Sequence, residues 1–576
     1  MASLNSTMVF PILVLLATLM MVLTTAQPAC QHPIYCVGEV LHTVQLSRVF
    51  NDSKTFVDMP MRYPTQIILN NFNLMVNASH DGQPSNAEIM SFLANNFLPA
   101  GYEVQRSVPT DWLPEPPFVE RVHSPELREF GLAVHTMWLN LSRHFNLTGL
   151  CEECHSSIPV PNPFIIAGSR FHEYYYWDSF WMIQGLLVSD MASTARGMLL
   201  NFASLFQRFG FVPNGGRLYF LDRSQPPLLT QMVSEYYAAT EDNALLEQLL
   251  PLLDQEYQFW MVNQSVLVNS LVTPGKTYLL NMYNVTTSTP RPESYAEDYT
   301  NAQTLPSIER QTFFYSSLAS AAESGMDFSS KWFEPGSINL TTIQTIEIVP
   351  VDLNTMLYAN EKRLAEFHRM VGNVSMQAYY LNQAAIRLSA LMDVFWCEQD
   401  YQWYDFHLDT MKQNQQYYIT NWMPLWSGIQ NDLPQYFTEQ LVDSLVKTMF
   451  PMAMDYVGGM PTSAVASGQQ WDFPYAWSPL EYFIFDGLQQ TNSTLANFMS
   501  MDIIQRWVTT NYCGWKNTLV SQGGMMYEKY DVTQVGEPGG GGEYVVQDGF
   551  GWTNGVALYL LNNFGETLKF QDCNSL

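Results

Sequence analysis

Leu246-Glu-Gln-Leu-Leu-Pro-Leu-Leu-Asp-Gln-Glu-Tyr-Gln-Phe-Trp260 places apolar side chains at Leu246, Leu250, Leu253, Tyr257 and Trp260. Steps of four and three keep them on one face of an α-helix. The same spacing returns at Leu357, Leu364, Phe367 and Val371, and again at Ala385, Leu388, Met392 and Phe395. Each run predicts a helix with one buried face. Between such segments lie irregular stretches rich in Gly, Pro, Asn and aromatic residues: Phe211 to Pro227, Thr286 to Glu297 and Gly458 to Pro479. Sustained strand alternation is rare. The pattern predicts an all-α chain in which helices frame a barrel and the joining loops carry the chemistry at one end.

A chain of 576 residues is long enough for several ordinary domains or for one large helical toroid. Charged residues make up 14% of it, against roughly 25% in typical soluble domains. The net charge of −28 argues against nucleic acid and anionic membrane surfaces as partners. Aromatic residues, at 14%, suit either a large aromatic core or a site that stacks on flat sugar faces.

No charged side chain occurs before Glu39, and Met8 to Leu23 form an apolar run followed by Thr24-Thr-Ala26. Residues 1–26 therefore read as a secretory signal peptide, with an uncleaved N-terminal membrane anchor as the alternative. Asn-X-Ser/Thr acceptors at Asn51, Asn77, Asn140, Asn146, Asn263, Asn284, Asn339, Asn373 and Asn492 point to N-linked glycans on an exported chain. The polar C-terminus, from Gly565 to Leu576, lacks the apolar tail of a lipid-anchor signal. The expectation is a secreted, extracellular product of residues 27–576. Of the seven cysteines, Cys30 with Cys36 and Cys151 with Cys154 are close enough to close small loops. Cys397, Cys513 and Cys573 cannot all pair. A C-x-x-C pair also suits zinc, but no second ligand pair follows, and neither metal nor cofactor is implied.

Five loops combine carboxylates with arginines, aromatics and glycines. They are Arg170 to Asp178; Asn214 with Asp222-Arg223-Ser-Gln225; Thr289-Pro-Arg291-Pro-Glu293-Ser-Tyr; Glu323-Ser-Gly-Met-Asp327-Phe-Ser-Ser-Lys-Trp332; and Glu528 through Gly539-Gly-Gly-Gly-Glu543 to Asn554. Glycoside hydrolysis needs one carboxylic acid to protonate the leaving oxygen and one carboxylate opposite it, and such loops can supply both. Asp327 lies between Met326 and Phe328, an apolar setting that raises a carboxyl pKa as a general acid requires. Taken singly, each of these acids also suits a surface carboxylate or a helix cap.

Together the loops resemble the trehalase family of inverting glycoside hydrolases, over nearly the whole mature chain. The motifs that carry the resemblance are Ala167-Gly-Ser-Arg-Phe-His-Glu-Tyr-Tyr-Tyr-Trp-Asp-Ser179, Gln470-Trp-Asp-Phe-Pro-Tyr-Ala-Trp477, Ile348-Val-Pro-Val-Asp-Leu-Asn354 and Gly458-Gly-Met-Pro-Thr-Ser463. The resemblance implies that residues 27–576 form a single catalytic domain, an (α/α)6 toroid that splits trehalose into two glucose molecules. It places the general acid at Asp327 and the general base at Glu528. It brings sugar hydroxyls to Arg170, Trp177, Asp178, Asn214, Arg223, Ser224, Gln225, Arg291, Pro292, Glu293 and Gly325, with Glu543 also at the substrate behind a glycine-rich lid. The chain departs from the family pattern at Ala167, Ser169, Met326 and Lys331, where Pro, Gly, Trp and Arg are usual. Two other readings stay open: a toroidal glycosidase acting on another α-glucoside, and a trehalose-binding protein without catalysis.

Overall fold

The structure, a computed structural model, describes residues 30–575. The expected signal peptide lies outside them. Six inner segments pack side by side in a closed ring: Asp178–Val188, Leu229–Thr240, Val351–Met370, Ile419–Leu425, Ser478–Gln489 and Gly551–Phe564, which returns to Asp178–Val188. Six outer helices, Pro125–Leu141, Ala192–Phe209, Asn243–Asn263, Val374–Ala390, Glu439–Ala453 and Thr494–Gln522, surround them, and the chain alternates outer and inner. This is an (α/α)6 toroid. The fourth inner member is a 3₁₀ segment that contains Pro424, whose ring and missing N–H are poorly suited to a helix interior. Strands are short; the longest pairing is a hairpin of Ser265–Asn269 with Thr277–Asn281.

Burial explains which helix takes which ring. In Asp178–Val188 every residue from Asp178 to Leu186 is buried, as an element covered on all sides requires. The outer helices are amphipathic, and five of the six begin at a side-chain cap: Ser124, Asp242, Asn373, Thr438 and Ser493. The inner segments have no such caps and start from Trp177, Leu228, Pro350, Tyr418, Trp477 and Phe550. Capping side chains thus hold the outer starts, while aromatic and apolar residues gather at the inner ones.

Leu246, Leu250, Leu253, Tyr257 and Trp260 are all buried, as their spacing predicts. The other two runs need correction. Val371 lies just past the end of its helix and is exposed. In Val374–Ala390 the buried stripe is Tyr380, Ala384, Arg387 and Ala390, so Ala385 is exposed, and Leu388 and Met392 are only partly buried. Arg387 enters the core because Nε donates to Glu361 at 2.8 Å, while Nη1 reaches Asn281 and Asn354 at 3.0 and 2.9 Å. A fully paired cation occupies the face that hydrophobic spacing assigns to apolar residues.

The disulfides are Cys30–Cys36, Cys151–Cys154 and Cys513–Cys573; the third ties the end of the chain to the outer helix Thr494–Gln522. Cys397 is the free thiol among the described residues, and its sulfur meets Asp400 at 3.3 Å. No helix among the described residues is long and apolar enough to cross a membrane.

Candidate active site

At one mouth of the toroid, beside the starts of the inner helices at Trp177, Trp477 and Phe550, opens a pocket. Arg170, Trp177, Asp178, Asn214, Arg223, Gln225, Arg291, Glu293, Gly325, Asp327, Glu528 and Glu543 all line it. Residues read from loops more than 350 positions apart therefore converge. Ser224 and Pro292 do not line the pocket. The Ser224 hydroxyl donates backwards to the Val212 carbonyl at 2.7 Å, and the Pro292 carbonyl accepts from Gln45 at 2.9 Å. Each holds the backbone of a neighbour that does face the cavity.

The wall is aromatic. Trp471 and Trp477 stack at 3.7 Å with their planes 2° apart, and Trp552 meets both edge-on. Trp177 covers Gly325, whose φ of +75° and position 2.6 Å from the indole, measured from a would-be Cβ, leave room for no side chain.

Asp327 sits on the loop after the helix Ile308–Glu323. The loop is held from three sides, and all the holding residues but Asp405 come from the other motifs. Asp472 accepts from the Ser330 N–H at 2.7 Å and from the Ser329 and Ser330 hydroxyls at 3.0 and 2.9 Å. Gln470 donates to the Asp327 carbonyl at 2.5 Å. Lys331 pairs with Asp405 at 3.1 Å and Asp352 at 3.4 Å, so Lys in place of Arg keeps the buried ion pair. Glu323 faces away from the pocket and accepts from Ser224 N–H and Gln264.

The Asp327 carboxyl is walled in by protein yet keeps 33% of its side chain open to the cavity. Burial, partly offset by Arg291, pushes its pKa up to about 6. Arg291 lies 3.7 Å away, but Asp298 grips it with two bonds of 2.9 and 2.8 Å and Glu543 takes Nη2 at 3.2 Å. Glu543 is itself pushed up to about 7, by burial first. Asp178, buried and facing Glu528 and Asp327, is pushed up to about 8.

Glu528 is bound differently. Tyr544 donates to Oε1 at 2.8 Å, and the Gln547 N–H approaches Oε2 at 3.5 Å. Burial raises its pKa, and Lys529, Tyr544, Gln547 and Arg170 oppose the rise. Arg170 in turn is held by Asp52, and its guanidinium lies 4.4 Å from the Tyr544 ring. Arg223 pairs with Glu293 and with Asp222, the latter at 3.0 Å. Arg223 Nε and Glu293 Oε2 are buried without a hydrogen-bond partner among the described residues, one donor and one acceptor in a cavity wall.

Asp298, Asp52, Lys529, Tyr544 and Gln547 complete this site and are absent from the sequence-predicted set. Tyr544 and Gln547 have a visible signal, their place between the glycine run and the Gly-Phe-Gly-Trp segment. Asp52 opens the stretch Asp52-Ser-Lys-Thr-Phe-Val-Asp58, where the family resemblance begins, but Asp298 has no signal beyond being an acid, because its partner is fixed by folding.

Two carboxyls with unlike surroundings in an aromatic, arginine-lined pocket at the mouth of an (α/α)6 toroid define a glycosidase-type site. The trehalase family model matches residues 48–565, and the chain belongs to the trehalase family. It is 52% identical to a trehalase of Dictyostelium discoideum over 549 residues, 94% of this chain and 92% of that one. It is 40% identical to a human trehalase over 546 residues, 94% of this chain and 91% of the other. In fold it is similar to the neutral trehalase of Saccharomyces cerevisiae, with a TM-score of 0.53 and 22% identity, over 69% of this chain and 73% of that one.

Proposed function

We propose that this chain hydrolyses the α,α-1,1 bond of trehalose, with Asp327 as general acid, Glu528 as general base and inversion at the attacked carbon. The observation that carries the reading is that both carboxyls enter one pocket with Arg170, Arg223 and Arg291, in a chain of the trehalase family. Asp327 gives its proton to the glycosidic oxygen as the bond from that oxygen to the anomeric carbon breaks. Glu528 takes a proton from water as the water oxygen bonds to the same carbon from the opposite face. Asp178, whose pKa of about 8 keeps it protonated at neutral pH, donates to a sugar hydroxyl. The arginines, each tied to carboxylates, orient the remaining hydroxyls.

Incubation with trehalose, maltose and sucrose tests the reading. Glucose release from trehalose alone is expected. Equal or greater release from maltose would turn it to another α-glucoside, and no release from any would leave a binding protein.

We further infer export and N-glycosylation. The support is three disulfides and eight acceptor asparagines that are exposed, with Asn146 half-buried. N-terminal sequencing and glycosidase digestion of secreted material test both, and a mature chain starting at Met1 would overturn cleavage.

A further inference from the structure

Residues 539–542 were expected to form a flexible lid. Their glycines serve contact as much as motion. A Cβ on Gly539 would stand 2.8 Å from Lys529, one on Gly541 2.8 Å from the Gly468 carbonyl, and one on Gly542 2.8 Å from Gln470. Gly541 and Gly542 also have φ of +70° and +78°, open chiefly to glycine. The run lies flat on the floor beneath it and delivers two consecutive side chains to opposite partners: Glu543 to Arg291, and Tyr544 to Glu528.

We propose that Tyr544 is the positioning residue that sets the charge and orientation of Glu528, its hydroxyl holding Oε1 so that Oε2 is the oxygen that accepts the proton of water. The proposal rests on Glu528 being the general base. A base must be ionised before it acts, and a hydrogen bond donated to a carboxylate favours the ionised form. Tyr544 supplies the shortest such bond, 2.8 Å, while Oε2 has only the 3.5 Å approach of the Gln547 N–H. Burial and the adjacent Glu528 hold the phenol well above its ordinary value, so it stays a donor. Lys529 from the same segment, Arg170 ahead of the helix Asp178–Val188, Asp178 at that helix start and Asp327 are the other groups with charge around Glu528. The two cations favour its ionised form, and Asp178 opposes it only once its own proton is lost.

A merely structural role for Tyr544 resides in its ring, which lies 4.4 Å from the Arg170 guanidinium and 5.5 Å from Phe171. Tyr544→Phe keeps those contacts and removes the hydroxyl. Its pH profile of kcat/KM should have an acidic limb moved up by about one unit, as loss of one hydrogen bond to a charged group implies. At the wild-type optimum kcat should drop on the order of tenfold with KM nearly unchanged. Placing 3-fluorotyrosine at 544, a stronger donor that preserves the fold, should move the same limb down. This second variant decides the matter should Tyr544→Phe fail to fold. Unmoved limbs in the variants that fold would overturn the proposal. Glu528→Gln separates the two levels: if it is inactive while Tyr544→Phe is normal, this inference alone falls. If Glu528→Gln retains turnover, the assignment of the base falls instead.

Discussion

Asp327 and Glu528 are both surrounded by protein, and burial is the largest influence on each, yet their surroundings work differently. The cation beside Asp327 is Arg291, whose charge is already claimed by Asp298 and Glu543. Little of it is left to ionise Asp327, whose pKa burial pushes up to about 6. Glu528 has a direct donor in Tyr544 and the cations Lys529 and Arg170 near it. Lys529 rests on the neutral Gln470 at 2.6 Å, with no carboxylate between it and Glu528 to absorb its charge. The two carboxyls thus differ in their nearest partners, an arginine shared with two other carboxylates beside Asp327 against a tyrosine hydroxyl and a lysine on a neutral amide beside Glu528, while Arg170, like Arg291, is held by a carboxylate, Asp52.

The largest test of that contrast removes each carboxyl in turn. Asp327→Asn and Glu528→Gln keep shape and should each lower kcat on the order of 10³-fold, measured as glucose release from trehalose by protein with an unchanged melt. Activity within a few-fold of wild type in either would remove that residue from its role.

Arg291→Lys comes next. One ammonium cannot span Asp298 and Glu543 as the guanidinium fork does, so kcat/KM should fall about 10²-fold and the basic limb of the pH profile should move. A pure KM effect with a fixed profile would show that Arg291 binds sugar without tuning Asp327.

Gly325→Ala tests the wall between the two sides. A methyl 2.6 Å from Trp177 at φ +75° should destabilise the protein by roughly 3 kcal/mol, read by thermal melting. A melt like that of wild type would mean that the indole can move.

A last test concerns carboxyls outside the pocket. Glu481 is buried against the Met460 N–H, and burial pushes it from 4.5 up to about 8. Its raised folded-state pKa gives a contribution that is complete below about 4.5 and lost as pH rises towards about 8. Glu256, pushed up to about 7, acts with the same sign. Melting temperature should decline from pH 5 to 8, and Glu481→Gln should flatten the decline. A steeper decline in the variant would contradict the assignment.

The same contrast shows what was legible in the sequence. Helices and loops followed from spacing wherever apolar residues made the buried face, and failed at Arg387, whose partners Glu361, Asn281 and Asn354 come from three other elements. Pocket-lining residues were legible where they belong to long motifs, because the motifs meet in space: Asp472 of one fastens Ser329 and Ser330 of another. Ser224 and Pro292 share their motifs' backbone but turn to the protein side. Asp298, which occupies Arg291 beside Asp327, stayed hidden, since a charge balance exists only once distant segments are brought within a few ångströms, whereas Tyr544 was marked by its place after the glycine run.

The most direct measurement is proton NMR of trehalose turnover at early times, before mutarotation mixes the anomers. Attack by water opposite the bond inverts one carbon, while the departing glucose keeps its configuration. Equal amounts of α- and β-glucose are expected in the first products. Two α-glucose molecules per trehalose would contradict it, because Glu528 would then have to act as something other than the base that activates water.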